Sequence, residues 1–159
     1  IQDAKFNFGM AAITNSNAVT ASTNYYDAGA DAIVFGGEEQ LFLWGRAQSL
    51  TADDNPTFRC DLVGSDNADL DPNDNETITN IILASTGVVT NDPSTGVKFT
   101  AAAQDFEFCI PIRKQTVARQ YYGLLVTLGG TNPDVLVSDA IVVRHGQTNM
   151  PGERAAVPA

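Results

Sequence analysis

The sequence predicts an all-β protein, an antiparallel β-sandwich of jelly-roll type with an irregular N-terminal arm and C-terminal tail. Two observations predict it. Short apolar segments with residues alternating in and out recur along the chain, and clusters of Gly, Pro, Asn and Asp separate them. Helical periodicity is weak throughout, and Ala101-Ala102-Ala103 is too short to nucleate a helix alone. About eight short strands spaced this way suit a sandwich.

The strongest pair lies near the C-terminus. Tyr121 to Leu128 and Val135 to Val143 are rich in β-branched and aromatic residues, and Gly129-Gly130-Thr131-Asn132-Pro133-Asp134 between them is turn chemistry. They read as a hairpin of central strands. In the first arm Tyr122, Leu124, Val126 and Leu128 share one face, while Tyr121, Gly123, Leu125 and Thr127 share the other. Neither face is polar throughout, which predicts cover on both sides.

Taken in order, residues 1–17 are poorly periodic and read as an arm that docks on something, with 18–145 as the sandwich and 146–159 as a tail. Ala18 to Tyr26 reads as a strand and Asp27 to Glu39 as a loop with Gly29, Gly36 and Gly37. Gln40 to Ala47 is a strand that is apolar on both faces through Trp44. Thr51 to Pro56 is a polar turn, Thr57 to Val63 an alternating strand, and Gly64 to Glu76 an acidic loop. Thr77 to Ala84 and Gly87-Val88-Val89 read as strands, and Asn91 to Gly96 as a turn. In Asp105 to Ile112 the residues Phe106, Phe108, Ile110 and Ile112 point one way.

The 159 residues fit one domain with a radius of gyration of about 15 Å. The formal charge is −10 and the pI about 4.2, a balance that repels nucleic acid and anionic membranes. The acid is concentrated between Asp53 and Glu76, while the chain from Asp105 onward is near balance. Alternation puts Cys60 with Phe58 and Leu62 on an apolar face, and Cys109 with Glu107 on a polar one. Opposite faces argue against a disulfide between them and for two free thiols from a reducing compartment. No window has the length and apolarity of a membrane-spanning helix, and Ile1 to Lys5 lacks a signal peptide's basic start. Production without secretory export is the expectation.

Four motifs bear on chemistry. Val142-Val143-Arg144-His145-Gly146-Gln147-Thr148 resembles the signature of the histidine phosphatases. That family's pocket needs a second histidine and opens an α/β domain; this chain has one histidine, close to its end. The acidic loop offers Asp66, Asp69, Asp71, Asn73, Asp74 and Glu76 as oxygen ligands for Ca²⁺. Aligned from Asp69, the EF-hand pattern fails, with Asp74 at the glycine position and Asn80 at the final glutamate. Asn75-Glu76-Thr77 fits the glycosylation sequon, which has meaning only on export. Asp105 and Glu107 share a strand face, an arrangement more common as solvent-facing charge than as a glycosidase pair. No catalytic set, cofactor or metal is expected.

Apolar residues without a clear core role are more informative. Phe6, Phe8, Phe42, Trp44 and Tyr121 are candidates for a protein–protein surface. With Leu41 and Leu43 in the core, Phe42 and Trp44 face the other way.

The order of several segments resembles the jelly-roll cement proteins of tailed phages, of the kind known from a Bordetella phage. The segments are Ile1 to Ala4, Ala18 to Asn24, Leu62 to Asn67 and Tyr121 to Thr131 with the apolar strand after it. The loop Ala28 to Glu39 and the stretch past Arg144 match less well. The resemblance implies a non-enzymatic virion component without a cofactor, made in the host cytoplasm and placed on the outer capsid surface. It implies the major capsid protein and a second copy of the chain as partners, the copies forming a homodimer. An acidic protein suits the outside of a shell, away from packaged DNA. The alternative expectation is a carbohydrate-binding jelly-roll module of a phage particle, with Trp44 and the tyrosines stacking on sugar rings.

Overall fold

A computed structural model describes residues 7–14, 16, 19–30, 40–51, 57–70, 80–90 and 104–144. Phe6, His145, the stretch 71–79 of the acidic loop and the tail 146–159 lie outside the described residues. The strands are β1 (Val19–Ala21), β2 (Tyr26–Asp27), β3 (Leu41–Thr51), β4 (Thr57–Ser65) and β5 (Ile81–Ser85), then β6 (Val89–Thr90), β7 (Gln104–Pro111), β8 (Tyr121–Gly129) and β9 (Asp134–Arg144). Among the described residues there is no helix, and all strand pairs are antiparallel.

One sheet runs β1-β8-β4-β5, with β2 also on β8 and β6 also on β4; the other runs β7-β3-β9. The pairs β1·β8, β3·β7 and β4·β5 nest inside one another and alternate between the sheets. That is the rolled ribbon of a jelly roll, closed where β8 meets β4. The core lies between the sheets. It takes Phe58, Cys60 and Leu62 from β4, and Tyr122, Leu124, Val126 and Leu128 from β8. Leu43, Ala47, Val135, Val137 and Ala140 face them from the other sheet.

The expected hairpin of β8 and β9 does not form. β8 pairs with β1, β2 and β4, whereas β9 pairs with β3 in the opposite sheet. The apolar faces of both arms point into the same core, so the connection crosses from sheet to sheet. Gly130 (φ 105°) and Asn132 (φ 50°) supply the left-handed backbone that this crossing needs.

Over its described part the irregular arm, held by isolated bridges, has a definite place. Asn7 and Ile13 bridge to Ile141 and Val135, which lays the segment antiparallel along β9. The Phe8 amide donates to the Ala140 carbonyl (2.7 Å) and the Met10 amide to that of Val137 (3.0 Å). Phe8, Met10 and Ile13 are core residues. What the segment docks on is the chain's own sandwich.

The expected strand Ala18 to Tyr26 is split in two. The Ser22 hydroxyl accepts the Leu124 amide (2.9 Å) and donates to the Asn24 carbonyl (2.8 Å), so a side chain enters the ladder. β1 and β2 resume on either side of that break. On the outer face of β8, Leu70 closes over Gly123, where a Cβ would come within 2.4 Å of its Cδ1. The two-sided cover expected of β8 is thus supplied in part by the loop after β4.

Candidate functional site

The five aromatic candidates meet different fates. Phe6 lies outside the described residues. Phe8 is 0% exposed and belongs to the core, which corrects its reading as a surface anchor: the β9 pairing turns its ring inward. Leu43 and Gly45 face the core, so Phe42 and Trp44 occupy the outer face of β3 as expected. Trp44 is nonetheless only 9% exposed, too little to serve as an open stacking platform, and Phe42 is half-buried. Tyr121 is half-buried and meets Tyr25 edge-on, with centroids 5.7 Å apart and an interplanar angle of 79°.

Around that tyrosine pair the polar groups are organised. Gln120 Nε2 donates to the Tyr121 hydroxyl (2.9 Å) and to Asp27 Oδ1 (3.3 Å), and Asp27 Oδ1 also accepts the Gly29 amide (2.7 Å). Tyr25 is 44% exposed. Sequence reasoning counted Tyr25 only collectively, among the tyrosines of the carbohydrate reading, because it sat inside an expected strand rather than in the gap between two.

A second feature lies where β5, the end strand of one sheet, meets β7, the end strand of the other. The segment after β7 stitches the two together. The Ile112 amide donates to the Leu41 carbonyl (2.8 Å) and the Arg113 amide to the Leu83 carbonyl (2.7 Å). Gln40 Nε2 donates to the Ile112 carbonyl (2.9 Å). Beside this stitch is a groove of about 570 Å³ whose apolar lining includes Ile82, Ile110 and Pro111, and whose cations are Arg59, Arg113 and Lys114. Among the described residues no acidic side chain lines it. Arg59 is held through Nε by both oxygens of Asp61 (2.8 and 3.1 Å). Arg113 and Lys114 are exposed. No sequence signal points to this groove, because its walls come from four separated segments.

The cysteines lie where alternation puts them: Cys60 is buried in the core and Cys109 is exposed, and both are free thiols. Burial, with Asp61 adding to it, pushes the Cys60 thiol far above its ordinary value. Burial also raises the Tyr122 phenol, against the Arg119 amide, whose donated hydrogen bond favours the ionised form. That hydroxyl donates to Gln115 Oε1 (3.1 Å) and accepts the Arg119 amide (3.2 Å), pinning the loop before β8. Among the described residues no three His, Cys, Asp or Glu side chains gather as a metal site. Asp66, from the acidic loop, lies 3.5 Å from Arg119. No helix among the described residues is long and apolar enough to cross a membrane.

Neither a protein-family model nor a curated protein matches the chain. Among solved structures it is similar to the CBM22-1-GH10 modules of Clostridium thermocellum endo-1,4-β-D-xylanase 10B, a structure complexed with xylohexaose. The identity is 13% and the TM-score 0.43, over 94% of this chain and 28% of that one. A likeness this distant carries no functional argument; the sandwich rests on the strand pairings themselves.

Proposed function

We propose that the chain is a non-enzymatic structural protein of a phage virion, a cement protein that sits on the outer capsid surface as a homodimer and clamps neighbouring major capsid proteins. One observation carries the reading. The described parts of three segments that resemble cement proteins, within Ala18–Asn24, Leu62–Asn67 and Tyr121–Thr131, assemble as the adjacent strands β1, β4 and β8 of one sheet. The resemblance therefore concerns a contiguous unit rather than scattered words. The net charge of −10 supports an outward station, since a shell's inner face meets DNA. A two-fold pair grips equivalent neighbours, and repetition over a shell multiplies weak contacts. The test compares particles with and without the chain on heating. Release of DNA at a higher temperature with the chain bound is expected; equal temperatures overturn the role.

The tyrosine pair favours a second reading, a carbohydrate-binding module of the particle. Exposed Tyr25 beside Gln120 and Asp27 combines a ring with hydrogen-bonding groups, as sugar sites do. Glycan-array binding that Tyr25→Ala abolishes is the result expected on that reading; an empty array removes it.

A further inference from the structure

We propose that the groove between β5 and β7 is a docking site for an extended, acidic polypeptide segment of a partner protein, one that alternates carboxylate and apolar side chains.

The charge of the groove is the first argument. The chain has 19 acidic and 9 basic residues, yet among the described residues the lining holds three of those basic residues and no acid. Arg59 is already engaged by Asp61. Arg113 and Lys114 are consecutive, exposed and outside that ion pair, and they stand where the two sheets are stitched together. Surface cations in such an acidic protein concentrate a local positive field within a repulsive surround. The field admits a short segment with a few carboxylates and disfavours a long polyanion, whose remaining charges would meet the acidic surface.

The apolar lining is the second argument. Ile82 is 45% exposed although it lies on a strand, and Ile110 and Pro111 flank the same space. A small anion would leave these groups in water. A peptide with apolar residues between its carboxylates covers them while its acids meet Arg113 and Lys114. The groove is lined from β5 and β7, which are end strands among the described residues. Nucleic acid fits less well, because among the described residues no aromatic side chain lines the groove for base stacking.

The inference does not need the capsid reading. Heat-stable particles with no peptide binding would sink the groove and spare the cement role; peptide binding with no effect on particles would do the reverse. The experiment uses the full chain and fluorescence anisotropy at low salt. The probe is a labelled octapeptide of alternating glutamate and valine, compared with a lysine–valine octapeptide and a single-stranded DNA oligonucleotide. Saturable binding of the acidic peptide alone is expected, weakened about tenfold or more by Arg113→Glu with Lys114→Glu. Ile82→Ser, which leaves the charge intact, is expected to weaken it several-fold, and unchanged melting temperatures show that both variants fold. Equal affinity for the two peptides, tighter binding of the DNA, full displacement by inorganic phosphate, or indifference to the charge reversal would each overturn the proposal.

Discussion

β4 and β8 pair without interruption from Thr57↔Gly129 to Ser65↔Tyr121. β3 slips against both of its neighbours, once with β7 and twice with β9. The two sheets consequently treat alternation differently. Along β4 and β8 every second residue enters the core, from Phe58 to Leu62 and from Tyr122 to Leu128. In the other sheet β3 and β9 each change parity once, Leu43 and Ala47 then Leu50, Val135 and Val137 then Ala140, as does the N-terminal segment bridged to β9, Phe8 and Met10 then Ile13, while β7 keeps its parity. A bulge adds a residue and turns the strand over. The β4–β8 ladder is the unbroken axis of the sandwich; its sheet slips once, between β4 and β5 at Leu62/Val63, whereas β3 slips against both neighbours.

The largest expected effect tests that contrast. Leu43 and Leu124 are both fully buried, one in each sheet. Leu124→Ala should cost about 2–5 kcal/mol, near the upper end, because an unbroken ladder relaxes little into the cavity. Leu43→Ala should fall lower in that range. Urea unfolding of both variants checks it, and a larger loss at Leu43 breaks the comparison.

Next in size is Gly45→Val. Gly45 faces Phe108 across the strands, and a Cβ there would lie 2.2 Å from the ring's Cζ. The ring is packed in turn against Phe58, 6.2 Å away between centroids. Overpacking should cost about 1–3 kcal/mol. If the bulged sheet yields as argued, the loss lies toward the small end, read as a modest fall in melting temperature.

Tyr122→Phe follows. It keeps the ring in the core and removes the hydroxyl that joins Gln115 and the Arg119 amide. Two polar groups lose a partner, at about 1–2 kcal/mol. Amide exchange should quicken in 112–120 while β4 and β8 stay protected; uniform quickening would show that the loop is part of the axis itself.

The same contrast explains how much the sequence reveals. β4, β7, β8 and β9 are legible because apolar residues recur at period two over most of their length. The N-terminal strip is not, since Phe8, Met10 and Ile13 straddle a change of parity. Partner choice is not legible for β8 and β9 either. A Gly-rich turn between two apolar strands serves a flat hairpin or a crossing between sheets equally well, and only the shared core decides. The groove escapes a linear reading altogether, because Gln40, Arg59, Ile82 and Arg113 are far apart in the chain and meet only when the sheets close. The tyrosine pair was half legible: Tyr121 stands on the weaker face of a strong strand, whereas Tyr25 acquires its exposure from a break that Ser22 makes in the ladder.

The smallest effect is a dependence on alkaline pH that should track the axis alone. Cys60 on β4 and Tyr122 on β8 both have folded values raised above their ordinary 9.0 and 10.0, chiefly by burial. Between the unfolded and folded values the native state holds a proton that the unfolded state has lost. Stability is therefore fully present below pH 9 and falls as pH rises beyond it. For Cys60 the loss should reach on the order of 1 kcal/mol by pH 9.5, as the unfolded thiol ionises. Cys60→Ala should lower stability at pH 7 through lost packing, yet flatten the decline between pH 8 and 9.5. Cys109 is exposed on the other sheet, so Cys109→Ala should leave the decline as it is. Urea unfolding across that pH range separates the two thiols. A decline that survives Cys60→Ala and disappears with Cys109→Ala would place the sensitive thiol in the bulged sheet and reverse the assignment of the buried axis.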